Sequence, residues 1–260
     1  MDSLHLFYTE CSSALLVSAV FMAIFGIAEL LRGFDLASQE ITRKTVHLGA
    51  GLVSLSFAYV FHSPWTLAVM LSAFLAMIIL GKRWHLMTAV HGVERQSMGD
   101  LLHPIAIFVT YLCAAKFEKP HFYAIAIAVL SVSDSLAALI GKSYGFKLYS
   151  VEEDKKSVEG SIIFFLSTFL IVHLCLLLLT DIDRSGSVLS ALLIAILATA
   201  FEAVALDGAD NLIVPIGTMF VLMKITRQSV PMMAYQNCLM GILYFTTYLI
   251  ATPSEKLGSS

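Results

Sequence analysis

Long apolar runs separated by short polar stretches make up most of this 260-residue chain. A helix needs about 20 apolar residues to cross the hydrocarbon core of a bilayer, and runs of roughly that length recur from end to end. The pattern predicts an all-α, polytopic transmembrane helix bundle forming a single integral-membrane domain over residues 1–260. Its eight or nine membrane segments fall near 12–32, 46–62, 64–81, 102–116, 121–141, 160–180, 187–206, 211–223 and 230–251.

The eighth run, near 211–223, is too short to cross a membrane comfortably. It contains Pro215 and Gly217, which weaken a helix interior. Irregular backbone is tolerated at membrane depth where it lines a polar cavity. The segment is therefore either a short crossing or a broken, re-entrant half-helix, and the count of eight or nine depends on that choice.

Composition agrees with a membrane protein. Hydrophobic residues make up 58% of the chain and charged residues 13%, about half the charged fraction of a soluble domain. No polar stretch is long enough to form a separate soluble domain. A basic stripe or nucleic-acid reader motif is absent from the sequence, so nucleic-acid binding has no support.

The distribution of Lys and Arg predicts the orientation. The loops after the first, third and fifth segments hold ten such residues, against three in the loops after the second, fourth and sixth. Because cytoplasmic loops carry the excess of positive charge, the odd loops are expected in the cytoplasm and the N-terminus outside. A re-entrant eighth segment would also return Lys224 and Arg227 to the cytoplasm.

Two basic clusters lie where the second and fourth segments begin. Arg43 and Lys44 either anchor the span or hold a phosphate, with His47 one turn deeper. Arg95 either pairs with its neighbour Glu94 or neutralises an anion, and Gly99 leaves room for a ligand.

A carboxylate inside the fifth apolar run marks the third cluster. An ionisable residue in a span is costly and is a functional-site hypothesis by default, although Asp134 could also be a packing residue bonded to a hydroxyl. A loop rich in lysine follows before the next helix begins. Lysines neutralise phosphate and a helix start offers free N–H groups to an anion, which makes candidates of Lys142, Lys155, Lys156, Glu159 and Gly160.

The fourth cluster is acidic and consists of Glu202, Asp207, Asp210 and Asn211. No Lys or Arg occurs between Ser185 and Met223. Clustered acids at a membrane surface repel one another unless a cation compensates them. Mg²⁺ would do so, as would the lysines of the third cluster; the alternative is a solvated acidic turn.

At these four clusters the sequence resembles the CTP-dependent polyprenol kinase family, which includes dolichol, phytol and farnesol kinases and the yeast-type diacylglycerol kinase. The matching stretches are RKTVH at 43–47, ERQSMGDLLHP at 94–104, SDSLAALIGKSYG with KKSVEG at 155–160, and EAVALDGADNLIVP at 202–215. The resemblance implies transfer of the γ-phosphoryl group of CTP, with Mg²⁺, to an isoprenoid or other lipid alcohol at the cytoplasmic membrane face.

On that basis each candidate receives an expected role. Glu202 or Asp134 is the general base, and Lys156 acts in catalysis as well as in phosphate binding. Mg²⁺ or its waters are held by Asp134, Asp207 and Asp210. The phosphate-binding set is Arg43, Lys44, Arg95, Lys142, Lys155, Lys156, Glu159 and Gly160, with His47, Gly99 and Asn211 as further candidates.

Two alternatives remain at this stage. The third cluster is also similar to part of the phosphatidate cytidylyltransferase family, but the later signature of that family does not follow in this sequence, so phosphoryl transfer is favoured over nucleotidyl transfer. A transporter using Asp134 and Glu202 is the other alternative. The sequence leaves open which alcohol is used, the nucleotide, the oligomeric state and the membrane.

Overall fold

The computed structural model describes residues 3–34, 38–84, 98–151 and 154–251. Its first half contains helices α1 (Ser3–Gly33), α2 (Gln39–Ser54), α3 (Phe57–Val60), α4 (Pro64–Arg83), α5 (Gly99–Phe117) and α6 (Pro120–Ala128). A π-helical segment (Val129–Ser133) joins α6 to α7 (Asp134–Tyr144). The strands β1 (Leu148–Val151) and β2 (Asp154–Ser157) then lead into α8 (Val158–Leu179), α9 (Arg184–Val204), α10 (Asp210–Ile225) and α11 (Val230–Ala251).

The all-α, polytopic prediction is confirmed. Within the described residues, six helical stretches are long and apolar enough to cross a membrane. They are Leu4–Gly33, Pro64–Gly81, Gly99–Phe117, Pro120–Tyr144, Val158–Leu179 and Arg184–Val204. Helices α2 and α10 have 16 residues each, or about 24 Å, which is less than the ~30 Å of the hydrocarbon core.

Helix α8 shows how an apolar sequence divides between the bundle and the lipid. Every fourth residue is fully buried, namely Phe164, Thr168, Val172 and Leu176. A parallel row is exposed, namely Ile162, Leu166, Leu170, Leu174 and Leu178. A helix that is hydrophobic on all sides suits this position, since one face packs against protein and the other against lipid.

The short segment near 211–223 forms an unbroken helix, α10, in spite of Pro215. Gly217 has a packing role there, because a Cβ at this position would lie 2.6 Å from the ring of Phe201 on α9. The segment is short, as the sequence indicates, but the break does not occur. Whether α10 crosses or re-enters stays a prediction.

The polar stretch after α7 is an antiparallel hairpin, a structure that the apolar pattern did not indicate. Tyr149 pairs with Lys156, and Ser150 pairs with Lys155. Successive residues of a strand face opposite sides, so the hairpin separates the two neighbouring lysines. Strand β2 ends at Ser157, whose hydroxyl accepts a hydrogen bond from the Gly160 N–H and caps α8.

Candidate active site at one end of the bundle

Four helices and the hairpin bring polar side chains together at one end of the bundle. Lys44 from α2 contacts Asp134 of α7, and Lys156 of the hairpin contacts Glu202 at the end of α9. The charge of Asp134 also acts on Glu202 and on Asp210 at the start of α10. Some of the candidate residues that are far apart in the sequence therefore lie close together, and their role as a site stays a prediction.

The first half of the site is built on Asp134. Its Oδ2 atom accepts a 2.6 Å hydrogen bond from the Lys44 ammonium and lies 3.3 Å from the Nε2 atom of His47. The side chains of Lys44 and Asp134 expose only 8% and 16% of their surface. Removing two charges from water is expensive unless they compensate each other, and this pair does so across 90 residues of sequence.

A close contact between α2 and the π-helical segment sets this geometry. A Cβ on Gly51 would lie 1.8 Å from the hydroxyl of Ser131, so α2 approaches the segment at a distance that only glycine allows. Asp134 follows immediately, as the first residue of α7. Single π turns inside α-helices often mark functional sites, and here the π turn sits directly before the buried carboxylate.

The second half of the site is centred on Lys156. Its ammonium donates to Glu202 Oε1 at 2.8 Å and to the backbone carbonyl of the same residue, and it lies 3.7 Å from Asp210 Oδ2. Burial lowers the pKa of Lys156, but the Glu202 carboxylate and its hydrogen bond more than reverse this, and the pKa ends above its ordinary value. Lys156 is therefore charged at neutral pH.

The neighbours of Lys156 face elsewhere. Lys155 and Lys142 are exposed. The Glu159 carboxylate accepts hydrogen bonds from the backbone N–H groups of Phe146 and Lys147, and so closes the loop after α7. Phosphate binding by these residues stays a prediction.

Gly160 is placed for packing as well as for capping. A Cβ on Gly141 would lie 3.3 Å from the Gly160 Cα atom, so α7 and α8 meet at these two glycines. The Gly160 N–H already donates to Ser157 at 3.1 Å. A phosphate would have to replace that hydrogen bond to use this N–H group.

The acidic turn between α9 and α10 is held by its backbone. Asp207 and Gly208 have left-handed φ angles of 51° and 80°. The carbonyl of Asp207 accepts a hydrogen bond from Met98 N–H at 3.0 Å, which ties the turn to the start of α5. The Asp207 side chain is exposed, whereas Asp210 accepts from the N–H of Asn211 at 2.9 Å.

A cavity of about 90 Å³ adjoins Asp134. Its polar walls carry Arg43, Lys44, His47, Asp100, His103, Asp134 and Asn211, and its apolar walls carry Phe21, Phe25, Val46, Ala50, Leu71, Phe74, Ile78, Pro104 and Ile107. Gly99 is buried at the first position of α5 and is not among the residues that line the cavity. Glu94 and Arg95 lie outside the described residues.

Sequence reasoning did not select His103 as a candidate, although it lies in one of the family-like stretches. Its side chain is 9% exposed, and its ring centroid lies 4.6 Å from that of His47. Neither ring nitrogen has a hydrogen-bond partner among the described residues. The available signal was an imidazole at the start of an apolar run.

No group of three His, Cys, Asp or Glu side chains in the described part of the chain converges on one point. Mg²⁺ usually needs only one or two protein carboxylates together with substrate phosphates and water. Asp134 and Asp210 are carboxylates near enough for the charge of one to act on the other, and Mg²⁺ binding by them with ligands from a nucleotide stays a prediction.

Comparison with known proteins decides the family. A phytol kinase of Synechocystis sp. (strain ATCC 27184 / PCC 6803 / Kazusa) is 32% identical over 200 residues, which cover 76% of this chain and 85% of that protein. The chain belongs to the phytol kinase family. A probable phytol kinase 1, chloroplastic, of Oryza sativa subsp. japonica is 26% identical over 237 residues, covering 81% of this chain and 72% of that protein. Membership confirms the family resemblance of the sequence motifs.

No family model and no solved structure matches the chain.

Proposed function

We propose that this protein is an integral-membrane lipid-alcohol kinase that transfers the γ-phosphoryl group of CTP to an isoprenoid alcohol of the phytol type. Membership of the phytol kinase family supports the reaction class. The observation that carries the proposal is a cavity with apolar walls that ends at Asp134 and Lys44. An amphiphile with one hydroxyl group suits such a cavity.

Phosphoryl transfer depends mainly on positioning and on neutralising charge. In the proposed reaction the alcohol oxygen attacks the γ-phosphorus, the bond from that phosphorus to the bridging oxygen breaks, and CDP leaves with the electron pair. The alcohol proton passes to a carboxylate. Asp134 is the better base, because it lines the cavity whereas Glu202 lies behind Lys156 and does not.

The cations of the site have distinct positions in this proposal. Lys156 is charged and fixed between Glu202 and Asp210, where the phosphates of the nucleotide would meet it. Lys44 and Arg43 lie on the cavity side, next to the transferred group. Mg²⁺ carried by the nucleotide would be held by Asp134 and Asp210, and it would neutralise phosphate charge. The excess of Lys and Arg in the loops at this end supports a cytoplasmic location.

The test uses purified protein in lipid nanodiscs with CTP labelled at the γ-phosphate. Phytol, farnesol, a polyprenol and diacylglycerol are offered in turn, and ATP, GTP and UTP replace CTP in parallel. We expect label in an isoprenoid phosphate, formation of CDP, and loss of both on removing divalent ions with EDTA.

Two other results would redirect the assignment. Release of pyrophosphate with incorporation of CMP would identify a cytidylyltransferase, the alternative that the third sequence cluster raised. Uptake of a solute into liposomes without nucleotide, together with no labelled lipid, would identify a transporter.

A further inference from the structure

We infer that His103 is the residue that binds the hydroxyl group of the lipid alcohol. The first part of the alcohol's hydrocarbon chain then lies in the cavity between α1, α2, α4 and α5. This inference rests on the proposed function. It names the acceptor end of the site, which the candidates chosen from the sequence left without a hydroxyl-binding residue.

The unpaired imidazole is the first reason. His103 is 91% buried, since 9% of its surface is exposed, yet neither ring nitrogen has a partner among the described residues. Buried polar groups in native proteins nearly always have hydrogen-bond partners. An orphaned imidazole on the wall of a cavity therefore indicates a ligand that supplies one, and a hydroxyl can both donate to and accept from a neutral imidazole.

The second reason is the gradient of polarity along α5. Asp100, His103, Pro104 and Ile107 all line the cavity, at the spacing of one helix face. The lining passes from charged to polar to apolar over about 10 Å. Phe74 on α4 and Phe21 on α1 continue the apolar part. A molecule with one polar end and a hydrocarbon chain matches this order, and its polar end falls at His103.

The third reason is the distance to the charged cluster. The His103 ring packs on His47 with 4.6 Å between centroids, and His47 Nε2 lies 3.3 Å from Asp134 Oδ2. A hydroxyl held by His103 would thus lie close to the carboxylate proposed as the base. His47 Nε2 also makes no hydrogen bond among the described residues, but it lies beside the Asp134 carboxylate, whereas both ring nitrogens of His103 lack a partner there.

The experiment compares His103→Leu and His103→Gln with wild type, all as full chains in nanodiscs. Thr110→Val is the matched control, because Thr110 is a buried polar residue of the same helix, also without a hydrogen-bond partner among the described residues, and it does not line the cavity. For His103→Leu we expect the KM for phytol to rise about five- to tenfold, the effect of one lost hydrogen bond. The KM for CTP should stay within about twofold of wild type. The KM for phytol should rise less in His103→Gln than in His103→Leu, because the amide can still form a hydrogen bond.

A binding measurement gives a readout that a purely structural role would not move. A photoreactive phytol analogue is crosslinked to the protein in competition with phytol or with 1-deoxyphytol, which lacks the hydroxyl. Wild type should prefer phytol by about tenfold. In His103→Leu that preference should fall about fivefold or more, while total crosslinking shows that the variant still folds.

The outcomes distinguish a failure of the inference about His103 from a failure of the proposed function. If wild type phosphorylates an alcohol but His103→Leu keeps both the phytol KM and the preference for the hydroxyl, the inference is wrong and the proposed function stands. If phytol and 1-deoxyphytol both compete more weakly in His103→Leu, and by the same factor, His103 would likewise be assigned to packing. Wild type that phosphorylates no lipid alcohol would overturn both.

Discussion

The two ends of this helix bundle both bury polar side chains, but they pair them differently. At the end opposite the site, Glu10 accepts hydrogen bonds from the backbone N–H groups of His62 and Ser63 at 2.6 and 3.2 Å. The hydroxyl of Tyr111 donates to the carbonyl of Phe61 at 2.9 Å. These side chains hold a turn of the main chain.

At the site end, charged side chains face other charged side chains. Lys44 meets Asp134, and Lys156 meets both Glu202 and Asp210. Replacing a buried ion pair by apolar residues is often neutral or stabilising, so stability alone does not explain two such clusters in a bundle of apolar helices. The two ends therefore differ in what buried polar side chains contact, which is other charged side chains at the site end and the main chain at the opposite end.

The largest effect on activity is expected from a substitution of Asp134, at the site end. Asp134→Asn keeps the size of the side chain but removes the proposed base and the partner of Lys44. We expect kcat to fall by roughly a thousandfold, within the range for loss of a general base. The measurement is CTP-dependent phosphorylation of phytol in nanodiscs, with membrane insertion verified. Turnover within about tenfold of wild type would contradict a catalytic role for Asp134.

A second test uses the two lysines of β2 as a matched pair. Lys156→Ala should lower kcat/KM by about a hundredfold or more, because it removes a fixed positive charge at the proposed phosphate site. Lys155→Ala should change it by roughly threefold at most, as exposed charges contribute little. Steady-state kinetics with CTP as the varied substrate distinguishes them, and equal losses would show that strand alternation does not separate their roles.

A third test disturbs the scaffold of the site without touching a charge. Gly51→Ala places a methyl group against Ser131, so α2 must shift and carry Lys44 and His47 away from Asp134. We expect about 1–3 kcal/mol of lost stability and roughly tenfold lower activity. Gly26→Ala on α1 is the control, since nothing lies within 4 Å of its added Cβ. An active, stable Gly51→Ala protein would show that this close contact does not set the site.

The smallest effect on activity is expected at the opposite end. Glu10→Leu leaves the N–H groups of His62 and Ser63 without their acceptor and should cost about 1–3 kcal/mol of stability. Activity below the unfolding temperature should stay within about threefold. Thermal unfolding and kinetics are measured together, with Glu10→Gln as the variant that keeps an acceptor. Lost activity with an unchanged Tm would place function at this end too.

Much of the fold could be predicted because insertion into lipid depends on local composition. The transfer of an apolar helix to the bilayer is a sum over consecutive residues, and most of the apolar runs accordingly match observed helices. The second run, near 46–62, does not, because it is divided between α2 and α3. The pairing of β1 with β2 was not predicted, because it depends on backbone contacts that leave no apolar pattern. The π-helical segment before Asp134 was missed for the same reason.

The candidate site was predictable only in part. Asp134, Lys156 and Glu202 stood out because a charge in or beside an apolar run is unusual. Compensation of the acidic cluster by lysines of the third cluster was one of the options that the sequence raised, and Lys156 does pair with Glu202. The pairing of Lys44 with Asp134 was not indicated, since they are 90 positions apart and no local rule joins them. His103 was overlooked because a single histidine in a helix has many ordinary roles, and only the cavity and its unpaired ring nitrogens distinguish it.

The sequence by itself determined that this chain is a polytopic helical membrane protein, which side chains carry unusual charge, and which family its motifs resemble. Each of these depends on residue type and spacing along one dimension. The tertiary structure decided which charge neutralises which, that Lys156 faces the site while Lys155 faces away, and that His103 borders a cavity. Those facts depend on close packing between elements distant in the chain. At Gly51 and Ser131, for example, the two elements come so close that a methyl group on Gly51 would not fit.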